Sequence, residues 1–505
     1  PYDKIDSEPA HHPLTPKQKE RLDDSFDGFS AIGLVKPKTK EEEEDFVRRF
    51  LQGLEKSFQE ESNWTFLQPL EHSLEYCVKC QLCSDSCPVY VASGKNEIYR
   101  PTFRGEVLRR IAKKYLKKRG PLLSKLTGTD IDLNWKTLAR LAESAYRCTI
   151  CRRCAQTCLI GADNALITRE IRKIFSQELG IAPVEIHEKG TVQHLRVGSS
   201  TGMNPKALAD LIEFMEEEME EKTGKKIKIP VDKKGAEYFL LHNAGEFLAW
   251  PESLESYAIL FDAAGIDWTI SSEQMGYDGV NYGTWYDDVQ FARIAVRHAQ
   301  IAKNLDVKKI SMAECGHAHK AFIVVADRVL TGDLNIPRES SIPLLEQIVD
   351  SGKIKFDPSR NDFPVTLHDP CNYVRLMGIV EPQRRILRKL APKFREMTPH
   401  GVENYCCGGG SGFAIMQGLN FPEWRSSVSG RMKLKQILEA FQDVPGPEVK
   451  KYVCAPCSNC KGQMRELFTY YNVPEKSGIF YGGLVELIVN AMTDMKKPIV
   501  NWEFH

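Results

Sequence analysis

The sequence predicts an α plus α/β chain: a helical, cysteine-rich module followed by two tandem α/β units. Three observations carry that prediction. The spacing C-x2-C-x2-C-x3-C occurs twice, at Cys77, Cys80, Cys83 and Cys87 and again at Cys148, Cys151, Cys154 and Cys158, within helix-like periodicity. From Ala236 onward short apolar runs alternate with helical stretches, the pattern of a mainly parallel sheet. Three cysteine segments then follow: Leu367–Cys371, Tyr405–Gly410 with Cys406 and Cys407 adjacent, and Val453–Cys460.

Bulk properties narrow the function. At 505 residues the chain is long enough for two to four domains. Its 68 basic and 68 acidic residues cancel, which argues against nucleic acid as the main partner. No apolar run reaches bilayer-spanning length, and Pro1–Lys19 has no signal-peptide core, so an intracellular chain is expected. Fifteen cysteines in such a chain point to metal or redox chemistry rather than disulfide bracing.

Residues 1–70 read as an N-terminal extension. Lys38–Leu54 has Phe46, Phe50 and Leu54 at helical spacing, and Glu41–Glu44 suit the positive end of the helix dipole. A solvated helix start is the simple reading of this run; docking on a partner is the functional one. Residues 71–180 carry the two cysteine runs, the second 71 residues after the first with every internal offset repeated. This is the bacterial-ferredoxin spacing for two [4Fe–4S] clusters, in which three close thiolates hold one cluster and the fourth reaches the other. Cys77, Cys80 and Cys83 therefore pair with Cys158, and Cys148, Cys151 and Cys154 with Cys87. Two zinc sites would not need that three-plus-one layout. Pro88 follows the first run and Leu159 the second, so the second turn is expected to differ locally. The insert between the runs reads as helical, at Arg104–Lys118 and Leu138–Tyr146, and Lys113–Arg119 is a basic stretch on a solvated face. Leu166–Phe175 completes the module.

Residues 181–235 are a polar connector with a highly charged helix at Asp210–Lys222. Residues 236–350 form the first α/β unit: strands at Tyr238–Leu241, Asp267–Ile270 and Lys309–Ala313, helices at Leu254–Ala264 and Asp287–Asn304. Residues 351–495 form the second, with strands at Val365–His368 and Lys451–Val453 and helices at Gln383–Leu390 and Trp424–Phe441; residues 496–505 are a tail. The units superimpose as sequences. Leu241-His242-Asn243 matches Leu367-His368-Asp369, placing Gly245 opposite Cys371, and Lys308-Lys309 matches Lys450-Lys451, placing Cys315 opposite Cys457. The first copy has thus lost nearly all its thiols. A single thiol-held centre in the second copy is the economical inference. His317 and His319 beside Cys315 read as satisfied core histidines, and His368 as a hydrogen-bonding neighbour of the centre.

These runs and the series Cys371, Cys406-Cys407-Gly408, Cys454-x2-Cys457 resemble the cysteine-rich CCG domains of heterodisulfide reductase. Over about residues 70–495 the chain is most similar to the fused, HdrD-like kind, in which an all-helical two-cluster ferredoxin module precedes two CCG domains, one degenerate here and one intact. Within that group it looks most like the DsrK type of the DsrMKJOP membrane complexes. The resemblance implies two cubane [4Fe–4S] clusters and one non-cubane [4Fe–4S] cluster. Five cysteines would hold the last: Cys371, Cys406, Cys407 and a late C-x2-C pair. Cys454/Cys457 and Cys457/Cys460 both fit, so Cys457 is common to the two choices. The catalytic set is then Cys371, Cys406, Cys407 and Cys457. The same resemblance implies an iron–sulfur oxidoreductase acting on a sulfur group. Its partners would be a haem-b membrane subunit of the DsrM kind, the other subunits of the membrane complex, and DsrC, a small sulfur-carrier protein, as disulfide or trisulfide substrate. The chain would sit in the cytoplasm, peripheral on the membrane's inner face. The other class of function is a pure electron-transfer subunit of a glycolate-, lactate- or glycerol-3-phosphate-type dehydrogenase complex, in which a flavin partner does the chemistry.

Overall fold

The computed structural model describes residues 15–17, 32–63, 65–117, 120–416 and 418–503. Among the described residues no strand precedes Tyr238. The helix Lys40–Ser57 begins where Thr39 accepts the Glu42 N–H, with Glu41, Glu42 and Glu43 in its first turn. It buries Phe50 and Leu54 and packs on the helix Asn164–Leu179, where Phe50 meets Phe175 at 5.4 Å between ring centres. Helices Pro101–Ile111 and Trp135–Tyr146 fill the interval between the cysteine runs, the first continuing into a π-helical turn at Ala112–Leu116. The basic stretch Lys113–Arg119 extends past these described residues at 118 and 119. No helix among the described residues is long and apolar enough to cross a membrane.

Two four-stranded parallel sheets follow. Strands β1 (Tyr238–Leu241), β2 (Trp268–Thr269), β3 (Lys309–Met312) and β4 (Arg338–Ser340) lie in the order β2-β1-β3-β4. Strands β5 (Val365–Leu367), β6 (Phe394–Arg395), β7 (Lys451–Cys454) and β8 (Ile479–Gly482) lie in the order β6-β5-β7-β8. The orders are the same, and the registers repeat: Phe239 faces Ile310 as Val365 faces Tyr452, and Leu241 faces Met312 as Leu367 faces Cys454. Such a topology directs the carboxyl ends of β1, β3, β5 and β7 to loops, where functional groups gather in open α/β sheets. The edge strands β4, β6 and β8 and the helix Ser341–Asp350 were not expected from sequence. Before Cys406, Glu403 closes a short 3-10 turn at Gly401–Glu403, and Asn404 and Tyr405 lead on to the cysteines.

The sheets share one core, which joins Leu240 and Ile270 of the first unit to Leu367, Tyr452 and Leu487 of the second. A separate core holds the helical module, and Phe413, Phe421 and Trp424 of the second unit insert into it. Trp424 Nε1 donates to the Tyr99 hydroxyl at 3.2 Å. The glycine-rich loop after Cys407 is thereby wedged against the helical half.

Candidate functional site

Each C-x2-C-x2-C run needs its backbone wrapped tightly around one point. The residues flanking the second cysteine take left-handed conformations in both runs: Lys79 and Gln81 at φ 59° and 68°, Ile150 and Arg152 at φ 50° and 61°. For a β-branched residue such as Ile150 that conformation is strained, and strain repeated at equivalent positions marks a functional wrap. Burial pushes the Cys83 thiol up to about 11, with Cys77, Cys158 and Cys80 acting on it. Burial pushes Cys87 up to about 12, with Cys151 and Cys148 acting on it. Cys158 thus lies within electrostatic range of Cys83, and Cys87 within that of Cys148, Cys151 and Cys154. Pro88 opens the helix Pro88–Ala92 directly, whereas Cys158 is followed by an exposed Leu159 and a left-handed Gly161 before Asp163 caps the next helix.

In the second α/β unit five cysteines converge. Cys371 and Cys407 are both within hydrogen-bonding reach of Cys406; Cys460 is within reach of both Cys407 and Cys457. None of the fifteen cysteines forms a disulfide. The Cys407 thiol is held well below its ordinary value by hydrogen bonds from Cys406 and Cys460 and, behind them, His368. His368 Nε2 lies 3.2 Å from Cys460 Sγ. Backbone donors line the group: Gly408 N–H to Cys406 Sγ at 3.3 Å and Gly409 N–H to Cys407 Sγ at 3.4 Å. The glycines are sterically required. A Cβ at Gly408 would lie 2.6 Å from Gly430 N, one at Gly409 2.7 Å from Gln463 Cβ, and one at Gly410 2.7 Å from the Thr149 carbonyl oxygen.

Cys454 stands outside this group, in contrast to its place among the expected ligands. It ends β7 paired with Leu367, and its side chain joins the core shared by the sheets. Burial raises its thiol, with Glu314, Glu486, Lys461 and Asp369 acting on it. The chain must turn beyond the strand before its cysteines reach the loops that hold Cys371 and Cys407, and Cys457 and Cys460 lie past that turn.

The first α/β unit builds the other wall. Its Gly316 N–H donates to Cys457 Sγ at 3.3 Å, Asn243 Nδ2 donates to Ser458 Oγ at 3.0 Å, and the Glu314 carbonyl accepts the Ser458 N–H at 2.8 Å. Cys315, the counterpart of Cys457, is buried and close enough to that thiol to be shifted by it electrostatically. His317 and His319 are spoken for: His317 Nε2 lies 2.9 Å from the Asn281 carbonyl, His319 Nδ1 2.8 Å from the Cys315 carbonyl and its Nε2 2.8 Å from Ser340 Oγ.

The two cysteine-rich halves touch. Cys151 of the second run lies within hydrogen-bonding reach of Cys406, and Arg375, just beyond Cys371, donates to the Cys151 carbonyl at 2.9 Å. Arg172 donates to the Cys148 carbonyl at 2.8 Å and to Ser411. Sequence reading missed these arginines, and it missed Lys433. That ammonium is buried in the helix Arg431–Ala440, 2.6 Å from Asn404 Oδ1, and lies in the field of Cys407, Cys406 and Cys460. A periodicity argument assigns such a lysine to a solvated face.

Soft sulfur ligands in this number, the buried Lys433 amine facing them, backbone donors and an unpartnered His368 Nδ1 fit a metal–sulfur group. Comparison with known proteins agrees. Residues 73–162 match the 4Fe-4S dicluster domain family, and residues 365–465 match the cysteine-rich CCG domain. The chain is 25% identical to the Hdr-like menaquinol oxidoreductase iron-sulfur subunit 2 of Archaeoglobus fulgidus, over 85% of this chain and 84% of that protein. It is 25% identical to the D-type subunit of the dihydromethanophenazine:CoB–CoM heterodisulfide reductase of Methanosarcina acetivorans, over 80% of this chain and 91% of that one. A more distant match, 22% identical over 76% of this chain, is the EtfAB:quinone oxidoreductase of Syntrophomonas wolfei.

Proposed function

We propose that this chain, an HdrD-like iron–sulfur protein of the heterodisulfide reductase kind, passes electrons between a membrane quinol or haem partner and a disulfide or trisulfide. The observation that carries this reading is the contact between Cys151 and Cys406, which joins the dicluster module to the Cys406-Cys407 site without an intervening layer. The reading assigns residues 71–180 to an all-helical ferredoxin module with two cubane [4Fe–4S] clusters. Residues 236–350 are a degenerate CCG domain and residues 351–495 an intact one, whose non-cubane [4Fe–4S] cluster is held by Cys371, Cys406, Cys407, Cys457 and Cys460. Residues 1–70, 181–235 and 496–505 are the extension with its docking helix, the connector and the tail. Bound iron–sulfur centres supply single-electron transfer. The chain's own residues hold the Cys407 thiol well below its ordinary value, set the buried Lys433 amine in the field of Cys407, Cys406 and Cys460, and link five thiols through successive close contacts. The two α/β units bury the site between them, which excludes water from it.

The finer assignment is the DsrK type, with a DsrM-like haem-b subunit as electron partner, DsrC as sulfur-carrier substrate, and a peripheral position on the inner face of the cell membrane. A flavin-linked adaptor of the glycolate or lactate type would not need the convergence of Cys406, Cys407, Cys457 and Cys460. Anaerobic purification with iron, sulfide and EPR measurement after thiol oxidation tests the reading. About eight irons per chain with no additional thiol-induced signal would reject the catalytic site. Cys407→Ser is expected to spare both cubane signals and abolish disulfide reduction; retained reduction would reject the role of Cys407.

A further inference from the structure

Breaking one S–S bond to give two thiols takes two electrons and two protons, one for each sulfur. The two α/β units bury the thiol site, so the protons must come from its walls. Two features of those walls answer the need. The first is Tyr373, two residues past Cys371. Its side chain is fully buried, and its hydroxyl has no hydrogen-bond partner among the described residues. An orphaned hydroxyl in a closed interior is costly, and a phenylalanine would fill the place without that cost. The ring packs on His319, 4.3 Å away between ring centres. Burial raises the hydroxyl well above its ordinary value, with Cys457, Glu314, Tyr257 and Cys315 acting on it. Tyr373 therefore lies in the fields of both a thiol of the site and a buried carboxyl.

The second feature is that carboxyl. Glu314 lies two residues past β3 and is fully buried. With Glu246 and Glu486 it makes three buried carboxyls facing one ammonium, Lys461, which stands 2.7 Å from Glu246 Oε1 and 3.6 Å from Glu486 Oε1. Glu314 and Glu486 reach the same glycine: a Cβ on Gly483 would lie 2.3 Å from Glu314 Oε2 and 2.9 Å from Glu486 Oε1. Three negative charges against one positive exceed what an apolar interior holds, so the cluster keeps a proton. Burial pushes Glu314 up to about 8, Lys461 acting against it and Glu486 and Glu246 with it. Tyr257, Tyr452 and Cys454 also face Glu314, and burial raises all three, so none of them competes to give up a proton near neutral pH. Glu252, partly exposed, is pushed up to about 8 by burial and the field of Glu486, and it leads from the cluster toward solvent.

We propose that Glu314 stores the proton for the thiol site and that the Tyr373 hydroxyl hands it to the sulfur substrate. The inference rests on the disulfide-reducing reading above and adds its proton path. As the S–S bond breaks, the hydroxyl gives its hydrogen to the leaving sulfur and takes one from Glu314 in the same step, so Tyr373 does not ionise. Glu314 is refilled through Glu486 and Glu252 before the second sulfur is protonated. The two electrons come from the membrane partner of that reading. A hydroxyl without a partner in the resting fold is free to gain both partners when substrate is bound.

The test compares Glu314→Gln and Tyr373→Phe with the unaltered anaerobic holoprotein. Glutamine keeps an oxygen for the Leu484 and Val485 N–H groups but has no proton to pass, and phenylalanine removes only the unpartnered hydroxyl. Both variants should keep the iron content and visible absorption. Infrared spectra in H2O and D2O at pH 7 should show a neutral carboxylic acid stretch that Glu314→Gln lacks and Tyr373→Phe retains. Disulfide reduction at pH 7 should slow about a hundredfold in each variant, the worth of a positioned proton donor. The double variant should be no slower than the slower single one, because both residues lie on one path. In the unaltered protein the rate should fall as pH rises through about 8, where Glu314 loses its proton, and Glu314→Gln should lack that fall. A carboxylic acid spectrum unchanged by Glu314→Gln overturns the store. Tyr373→Phe working at full rate, or a double variant slowed by the product of the two single effects, overturns the relay. The two readings fail separately. Reduction at the normal rate with an unchanged spectrum overturns this inference and leaves the proposed function standing. No reduction by the unaltered protein at any pH rejects the proposed function and the delivery step with it, while the infrared band still decides whether Glu314 holds a proton.

Discussion

Arg384 and Asp369 make the most specific claim about how the thiol site is held. Both side chains are buried, at 1% and 0% exposure, and they form a two-pronged pair at 2.7 and 2.6 Å. Asp369 also accepts the Gly401 N–H at 2.7 Å, and its carbonyl accepts from Asn404 Nδ2 at 3.2 Å. It lies two residues before Cys371, and Asn404 two before Cys406, so this pair fixes one cysteine against the other. Arg384 has a second partner in Glu396, at 3.0 and 3.2 Å; Asp369 has no second ion pair among the described residues. The two removals are therefore unequal. Arg384→Met strands a buried carboxylate and is expected to cost about 3–5 kcal/mol. Asp369→Asn leaves Arg384 neutralised by Glu396 and costs about 1.5–3 kcal/mol, the value of charged hydrogen bonds lost. The double variant should cost less than the sum by about 1–3 kcal/mol, because the stranded charge is gone. Urea titration of the anaerobic holoprotein, followed by tryptophan emission and by visible absorption, measures all three. An Arg384→Met protein no less stable than Asp369→Asn, or strict additivity in the double variant, would refute the reasoning.

Three further outcomes are expected. Cys454→Ala should retain the iron content and thiol-induced EPR signal of the unaltered protein, while Cys460→Ser should lose that signal; the opposite pattern would return Cys454 to the site. Gly410→Ala places a methyl 2.7 Å from the Thr149 carbonyl oxygen and should destabilise by about 1–3 kcal/mol, measured by the same titration, while both ferredoxin-type signals persist. His319 is kept neutral by burial, with its value pushed down to about 4 against 6.5 unfolded. Its contribution is complete above pH 6.5 and is lost as pH falls toward 4, because the unfolded chain takes the proton first. From pH 7 to 5 His319→Gln should thus lose about 2 kcal/mol less stability than the unaltered protein, by denaturant midpoints at the two pH values.

How much of this was legible beforehand depended on the kind of signal. Cysteine spacing is short-range, and it pointed to the crosswise association of Cys83 with Cys158 and Cys87 with Cys148 and Cys151. Helical periodicity located Lys40–Ser57 and Asn164–Leu179 to within a few residues. Edge strands were lost because Arg338–Ser340 and Phe394–Arg395 have too few residues to show alternation, although Ile479–Gly482, aromatic and bounded by glycines, carried a readable signal. The choice between Cys454 and Cys460 was not legible. Spacing allows both, and only the strand's end, which turns Cys454 into the shared core, distinguishes them. Lys433, Lys320 and Lys461 were invisible for a deeper reason: a charged residue is read as solvated unless its partners are known, and their surroundings come from distant segments.

Those partners show what the first α/β unit, with Cys315 as its one cysteine, contributes to the site. Lys461, next to Cys460, is fully buried and pairs with Glu246 of the first unit at 2.7 Å and with Glu486 of the second at 3.6 Å. Glu314 of the first unit accepts the Leu484 and Val485 N–H groups at 2.8–3.1 Å, at the start of a helix of the second unit, and burial pushes its carboxyl up to about 8. With Gly316 donating to Cys457 and Asn243 to Ser458, the first unit supplies donors opposite the strand end that delivers the late cysteines. A Cβ at Gly316 would stand 3.1 Å from Cys457 Sγ, so the two copies meet at the sulfur itself. The first unit, whose one cysteine is Cys315, thus builds a wall of the site without a thiol cluster of its own. What the sheet duplication preserves is a two-sided cleft, in which one copy provides the sulfur and the other holds it in place.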